Sequence, residues 1–168
     1  MRIVDALLNE MDMEAQATAR VLERVPQEHL SWRPHPKSFS LGQLAMHVAT
    51  IPGAIAQMAA MDSVEPPKFV QPEAATAAEL VPTLNASVAK AREALGGLDD
   101  EAMGATWRMT LGGKEIMAMP RAAVARTIML NHWYHHRGQL LVYLRMHNVP
   151  LPSVYGPTAD ENPFAAAM

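Results

Sequence analysis

Two histidines four residues apart, set inside a long apolar-periodic run, constrain this chain more than any other feature. The run extends from Pro120 to about Met146 and carries His132 and His136 within Leu-Asn-His-Trp-Tyr-His-His-Arg-Gly-Gln, residues 130–139. Apolar residues recur there at helical spacing, which predicts a long helix. At about 3.6 residues per turn an i,i+4 pair sits only ~40° apart around the axis, so two imidazoles can close on one ion. Stepping by four gives Ile128, His132, His136 and Leu140, two polar rings in a stripe that otherwise faces a core. An imidazole buried in such a stripe must stay neutral, be hydrogen-bonded or hold a metal. His135 lies to one side, and its i,i+3 pairing with His132 is the competing geometry. Either way, a third ligand has to come from another element.

Composition narrows what the ligands can be. The chain has no cysteine, so disulfides and thiolate ligands are excluded, and a metal would have to sit on His, Asp, Glu or water. Any thiol chemistry would need a thiol from outside. With 168 residues, 49% hydrophobic and 18% charged, the chain suits one domain over 1–168 with one core. A net charge of -3 without a Lys/Arg block argues against a nucleic-acid partner. No apolar run approaches the ~20 residues of a membrane span, and the mixed N-terminus is unlike a signal peptide, so no membrane partner and a cytoplasmic location are expected.

The remaining segments predict three more helices. Residues 3 to about 25 place Ile3, Leu7, Met11, Val21, Leu22 and Val25 at helical spacings, ending before Pro26. The 13 methionines read as adaptable core filling. Pro34 and Pro36 make the next segment irregular, with Trp32 sealing one end of the core. Ser40-Leu-Gly-Gln43 has the form of a capping box, with Phe39 and Leu44 as its hydrophobic staple. The helix that starts there carries His47 on or beside its inward face, and His47 is the expected third ligand. Pro52-Gly53 is expected to kink or loosen that helix. Residues 62–75, with Pro66, Pro67 and Pro72, read as a crossover loop. Thr76 caps a third helix from about Ala77 to Leu95, with Leu80, Leu84, Val88, Ala91 and Leu95 as its stripe, stopped by Gly96-Gly97. A short hairpin is expected around Gly112-Gly113. Pro120 then suits the first position of the histidine-bearing helix. Gly138 inside that helix costs about 1 kcal/mol against Ala, which suggests that a neighbouring backbone or ligand comes close. The expected fold class is all-α, a four-helix bundle with a long crossover connection, an architecture that builds metal sites from facing side chains.

Several stretches together resemble the DinB-like (DinB/YfiT) metalloenzyme superfamily, which is unrelated to the DNA polymerase of similar name. They are Leu30-Ser-Trp-Arg-Pro34, Ser40-Leu-Gly-Gln-Leu-Ala-Met-His47, the His132-x-x-x-His136-Arg-Gly-Gln139 run, Leu144-Arg145 and Val149-Pro-Leu-Pro-Ser-Val-Tyr-Gly-Pro157. The resemblance implies a four-helix bundle, often a homodimer, holding a divalent ion, commonly nickel or zinc, on three histidines. By position these are His47, His132 and His136. Characterised members of the superfamily are thiol-dependent: S-transferases using low-molecular-weight thiols such as bacillithiol, a mycothiol-dependent maleylpyruvate isomerase, and related domains in thiol-histidine biosynthesis.

The expectation that follows is a metal-dependent enzyme acting on a small molecule, transferring an external low-molecular-weight thiol to an electrophile. The alternatives are a non-catalytic, stress-linked bundle that binds a metal or small molecule, and a metal-dependent hydrolase. The hydrolase is weakened because no Glu stands beside His132 in the manner of H-E-x-x-H, which leaves the general base unnamed. Arg137, next to a ligand, is placed either to orient an anionic substrate or to form an inter-helix ion pair. Tyr155 either folds back near the site or anchors the tail. Trp133 and Tyr134 read as packing or dimer contacts, and His29, His35 and His147 as solvated or locally bonded.

Overall fold

A computed structural model describes residues 1–66 and 70–165. Pro67, one of the prolines of the expected crossover, lies outside the described residues, as does the end of the Ala-rich terminus. The elements run α1 (Ile3–Leu22), α2 (Leu41–Ala60), β1 (Ser63–Val64), α3 (Leu80–Gly96), α4 (Asp100–Gly104), β2 (Thr106–Leu111), β3 (Lys114–Pro120) and α5 (Arg121–Ala123). A π-helical stretch (Val124–Asn131) then leads without a break into α6 (His132–Met146). Helix α2 packs along α3 and α6, and α1 closes the core against α3 and α6. Among the described residues no helix is long and apolar enough to cross a membrane.

The chain is mostly helical, with a small sheet that an all-α label leaves out. Strands β2 and β3 form the expected antiparallel hairpin, turning at Gly112 (φ +58) and Gly113 (φ +78), where two successive left-handed residues favour glycine. Strand β1 adds parallel to β2, with Ser63 opposite Arg108 and Val64 opposite Met109. Buried Trp107 fixes this sheet to the helices by donating from Nε1 to Met58 O at 2.9 Å. Arg121, also buried, donates to Ala59 O (2.6 Å), Met61 O (3.3 Å) and Ala102 O (2.5 Å) and pairs with Asp62. A cation placed on the last carbonyls of α2 and α4 satisfies acceptors that a helix end leaves open.

The capping box of α2 is present. Gln43 N donates to Ser40 Oγ at 3.1 Å, and Ser40 N donates to Gln43 Oε1 at 3.0 Å. Leu41 N and Gly42 N are taken by Trp32 O and Leu30 O, both at 2.7 Å, so the irregular 30–37 segment finishes capping the helix that carries His47. Three expectations about detail are corrected. Met11, Val21, Leu22 and Val25 are buried as anticipated, but in the first turns of α1 the buried residues are Val4 and Leu8, while Ile3 is exposed and Leu7 half-buried. The third helix begins with a 3-10 turn (Ala77–Glu79) and becomes α-helical at Leu80. Among the described residues nothing lies within 4 Å of a Cβ built on Gly138, so none of them explains that glycine.

Helix α2 runs through Pro52-Gly53 without interruption, because side chains replace what proline removes. Proline has no N–H to give the carbonyl four residues back, which here is Val48 O. Trp133 Nε1 donates to Val48 O at 2.9 Å instead. Gly53 N donates to Ser87 Oγ at 2.8 Å, and that hydroxyl donates to Thr50 O at 3.0 Å. The same contact requires glycine, since a Cβ at 53 would stand 2.7 Å from Ser87 O.

Candidate metal centre

His47 projects from the second turn of α2, and His132 and His136 from the first turns of α6, so two helices packed side by side supply all three rings. One ligand nitrogen from each lies within 4.8 Å of those of the other two. The ring centroids are 5.2 Å apart for His47 and His132, and 4.6 Å for both other pairs. The face is half-buried, not fully buried as the apolar stripe suggested, so the cluster is reachable from solvent. His135 is exposed, with its ring 5.0 Å from that of His136. It stands at the rim and is not part of the cluster; the i,i+4 pair is the one the fold uses.

The shortest contact is decisive for the chemistry. His47 Nε2 lies 3.4 Å from His132 Nε2. Two nitrogens on a tetrahedral ion at bond lengths of about 2.0–2.1 Å are separated by about 3.3–3.4 Å. The donor set therefore fits a divalent ion. His136 Nδ1 is 2.8 Å from the oxygen acceptor Gln139 Oε1.

Electrostatics keep the rings neutral. Burial pushes His47 down to about 4, with the neighbouring His136 and His132 adding to the effect and Gln71 opposing it. His132 is lowered by burial, against the opposing bond to Ile128 O. His136 is lowered by burial as well, against Gln139. Neutral imidazole is the form that binds a metal.

The π-helical stretch ends where the site begins. His132 N bonds to Met129 O. Such π segments frequently mark functional sites.

Arg137 and Tyr155 are brought to α1 and to each other. Arg137 is buried, pairs with Glu14 Oε2 at 2.6 Å, and donates to Thr18 Oγ1 (3.0 Å) and to Tyr155 Oη (2.5 Å). Tyr155 Oη donates to Glu14 Oε2 at 3.0 Å. Of the two roles open to each, this geometry matches the ion pair and the tail anchor. Trp133 is buried packing, and Tyr134 Oη donates to Glu10 at 2.9 Å. His29 stacks on His147 at 4.1 Å, beside Trp32.

The profile of the DinB family matches residues 1–163. The chain belongs to the DinB family. Over 165 residues it is 24% identical to the uncharacterized protein YrdA of Bacillus subtilis, spanning 94% of this chain and 91% of that one. A solved DinB-like protein of Bacillus cereus superposes with a TM-score of 0.69 at 25% identity, covering 90% of this chain and 97% of that one. The DinB-like protein YjoA of Bacillus subtilis superposes at 0.68 with 20% identity, covering 89% and 96%. The second likeness is one of fold alone. Within this DinB chain, sequence reasoning found the three histidines but missed Gln71, Gln139 and Arg121. Only Gln139 carried a signal, standing i+3 from His136 on the same helix.

Proposed function

We propose that this DinB-family chain is a metal-dependent enzyme that transfers a low-molecular-weight thiol to a small electrophile. In this reading His47, His132 and His136 hold a divalent ion, nickel or zinc, within a four-helix-bundle frame. The observation that carries the metal is the 3.4 Å approach of His47 Nε2 to His132 Nε2 beside the third ring of His136. That separation is the one two nitrogens take on a shared tetrahedral ion.

Three protein ligands leave a coordination position open, the pattern of catalytic sites. An ion held there supplies the positive charge that eases loss of the proton from a thiol or water in that position. The half-buried setting of the rings admits a small molecule, and Phe39 packs edge-on against His47 with centroids 5.7 Å apart, giving the mouth an apolar wall. With no cysteine in the chain, the thiol is a co-substrate. The family resemblance is what supports a homodimer.

The test is elemental analysis of untagged protein beside His132→Ala, followed by incubation of the metal-loaded protein with small thiols and an electrophile. One divalent ion per chain, lost in the variant, together with thiol consumption supports the proposal. Metal without thiol consumption overturns the transferase and leaves a binding bundle. Turnover of an ester or amide without thiol favours the hydrolase.

A further inference from the structure

A histidine can hold a metal through one nitrogen only if the proton sits on the other, and in free neutral histidine the proton prefers Nε2. A site that uses Nε2 therefore needs an acceptor at Nδ1 to reverse that preference. His136 Nδ1 lies 2.8 Å from Gln139 Oε1, one helical turn on. His136 Nε2 is then the nitrogen left to face His47 and His132.

We propose that Gln139 is a positioning residue that holds His136 as its Nδ1–H tautomer, so that the Nε2 of that ring faces the ion. The inference rests on the metal reading above and deepens it. It also says what kind of site this is. Metal-bound histidines are often backed by a carboxylate, which makes the ring a stronger donor and adds negative charge. Behind His136 the backing group is a neutral amide, so the ion keeps more of its positive charge. That suits activation of a thiol or water more than tight structural binding.

The experiment reads the tautomers directly, by nitrogen-15 NMR of the histidine rings in metal-free protein near pH 8. Zinc affinity is then measured by competition with a chelating dye. Wild-type protein is expected to show His136 as Nδ1–H. Gln139→Leu, at an exposed position, is expected to move His136 toward Nε2–H and to weaken zinc binding by about 10–100-fold. Gln139→Glu, which keeps an acceptor at Nδ1, restores the tautomer and binds zinc at least as tightly as wild type.

If Gln139→Leu leaves both the tautomer and the affinity unchanged, the positioning role is overturned while the metal site stands. If wild-type protein holds the Nδ1–H tautomer yet takes up no zinc or nickel, the metal reading falls and the positioning remains.

Discussion

The depressed pKa values of the three rings set the pH range over which they can serve. Free imidazole begins to compete with a metal near pH 6.5. Here burial lowers all three, His47 to about 4. Metal affinity is therefore expected to persist below pH 6.5, the ordinary imidazole range, and to fall as the pH approaches the lowered values. Zinc titrations at half-unit steps check this, and a midpoint at 6.5 or above would show rings more solvated than the structure has them. The sign for folding follows from the same shift. A histidine lowered on folding takes up protons more readily when unfolded, so the metal-free protein is more stable above pH 6.5 and loses that increment as pH falls toward 4. Trp133, beside a ligand, supports the site differently. Replacing it with Phe removes the donor to Val48 O and leaves a buried carbonyl unpaired. The expected cost is about 1–3 kcal/mol, read from urea midpoints, and a loss under half of that would mean that water reaches Val48.

At the scale of elements, paired substitutions at two glycines separate close packing from backbone freedom. Gly53→Ala puts a methyl 2.7 Å from Ser87 O. Because the obstacle is backbone, α3 must move, and overpacking of this kind costs about 1–3 kcal/mol. Gly138→Ala meets nothing within 4 Å and should stabilise α6 by about 0.5–1 kcal/mol through helix propensity. Thermal melts of both variants check the pair; destabilisation by Gly138→Ala would reveal a partner surface lying against that face.

These elements also show how far the sequence could be read. The i,i+4 histidines, the capping box of α2 and the Gly112-Gly113 hairpin were legible because each is a local pattern with a local cause. The survival of α2 past Pro52 was not, because its replacement donors come from Trp133 and Ser87 on other helices. The π-helical stretch before His132 has no periodicity of its own to mark it. Strand β1 is two residues long and exists only because β2 offers an edge.

At the scale of the whole molecule, one buried ion pair ties the site helix to α1 and to the tail. Arg137 and Glu14 have side chains 2% and 14% exposed, and Tyr155 joins them from the segment after α6. Arg20–Glu161 and Arg145–Asp160 fasten the same segment further along, but exposed pairs of this kind contribute little. The clasp therefore depends on Arg137. Removing one partner of a buried pair leaves an uncompensated charge, and Arg137→Met is expected to cost about 3–5 kcal/mol. Replacing both, as Arg137→Met with Glu14→Leu, should recover most of that loss, because two apolar side chains can occupy the space without a stranded carboxylate. Denaturant unfolding of the single and double variants measures the coupling, and zinc affinity of the refolded double variant shows whether the site survives. A single variant that keeps full stability but loses turnover on an anionic substrate would place Arg137 in the substrate's path instead, and the clasp would have to be sought elsewhere along α1.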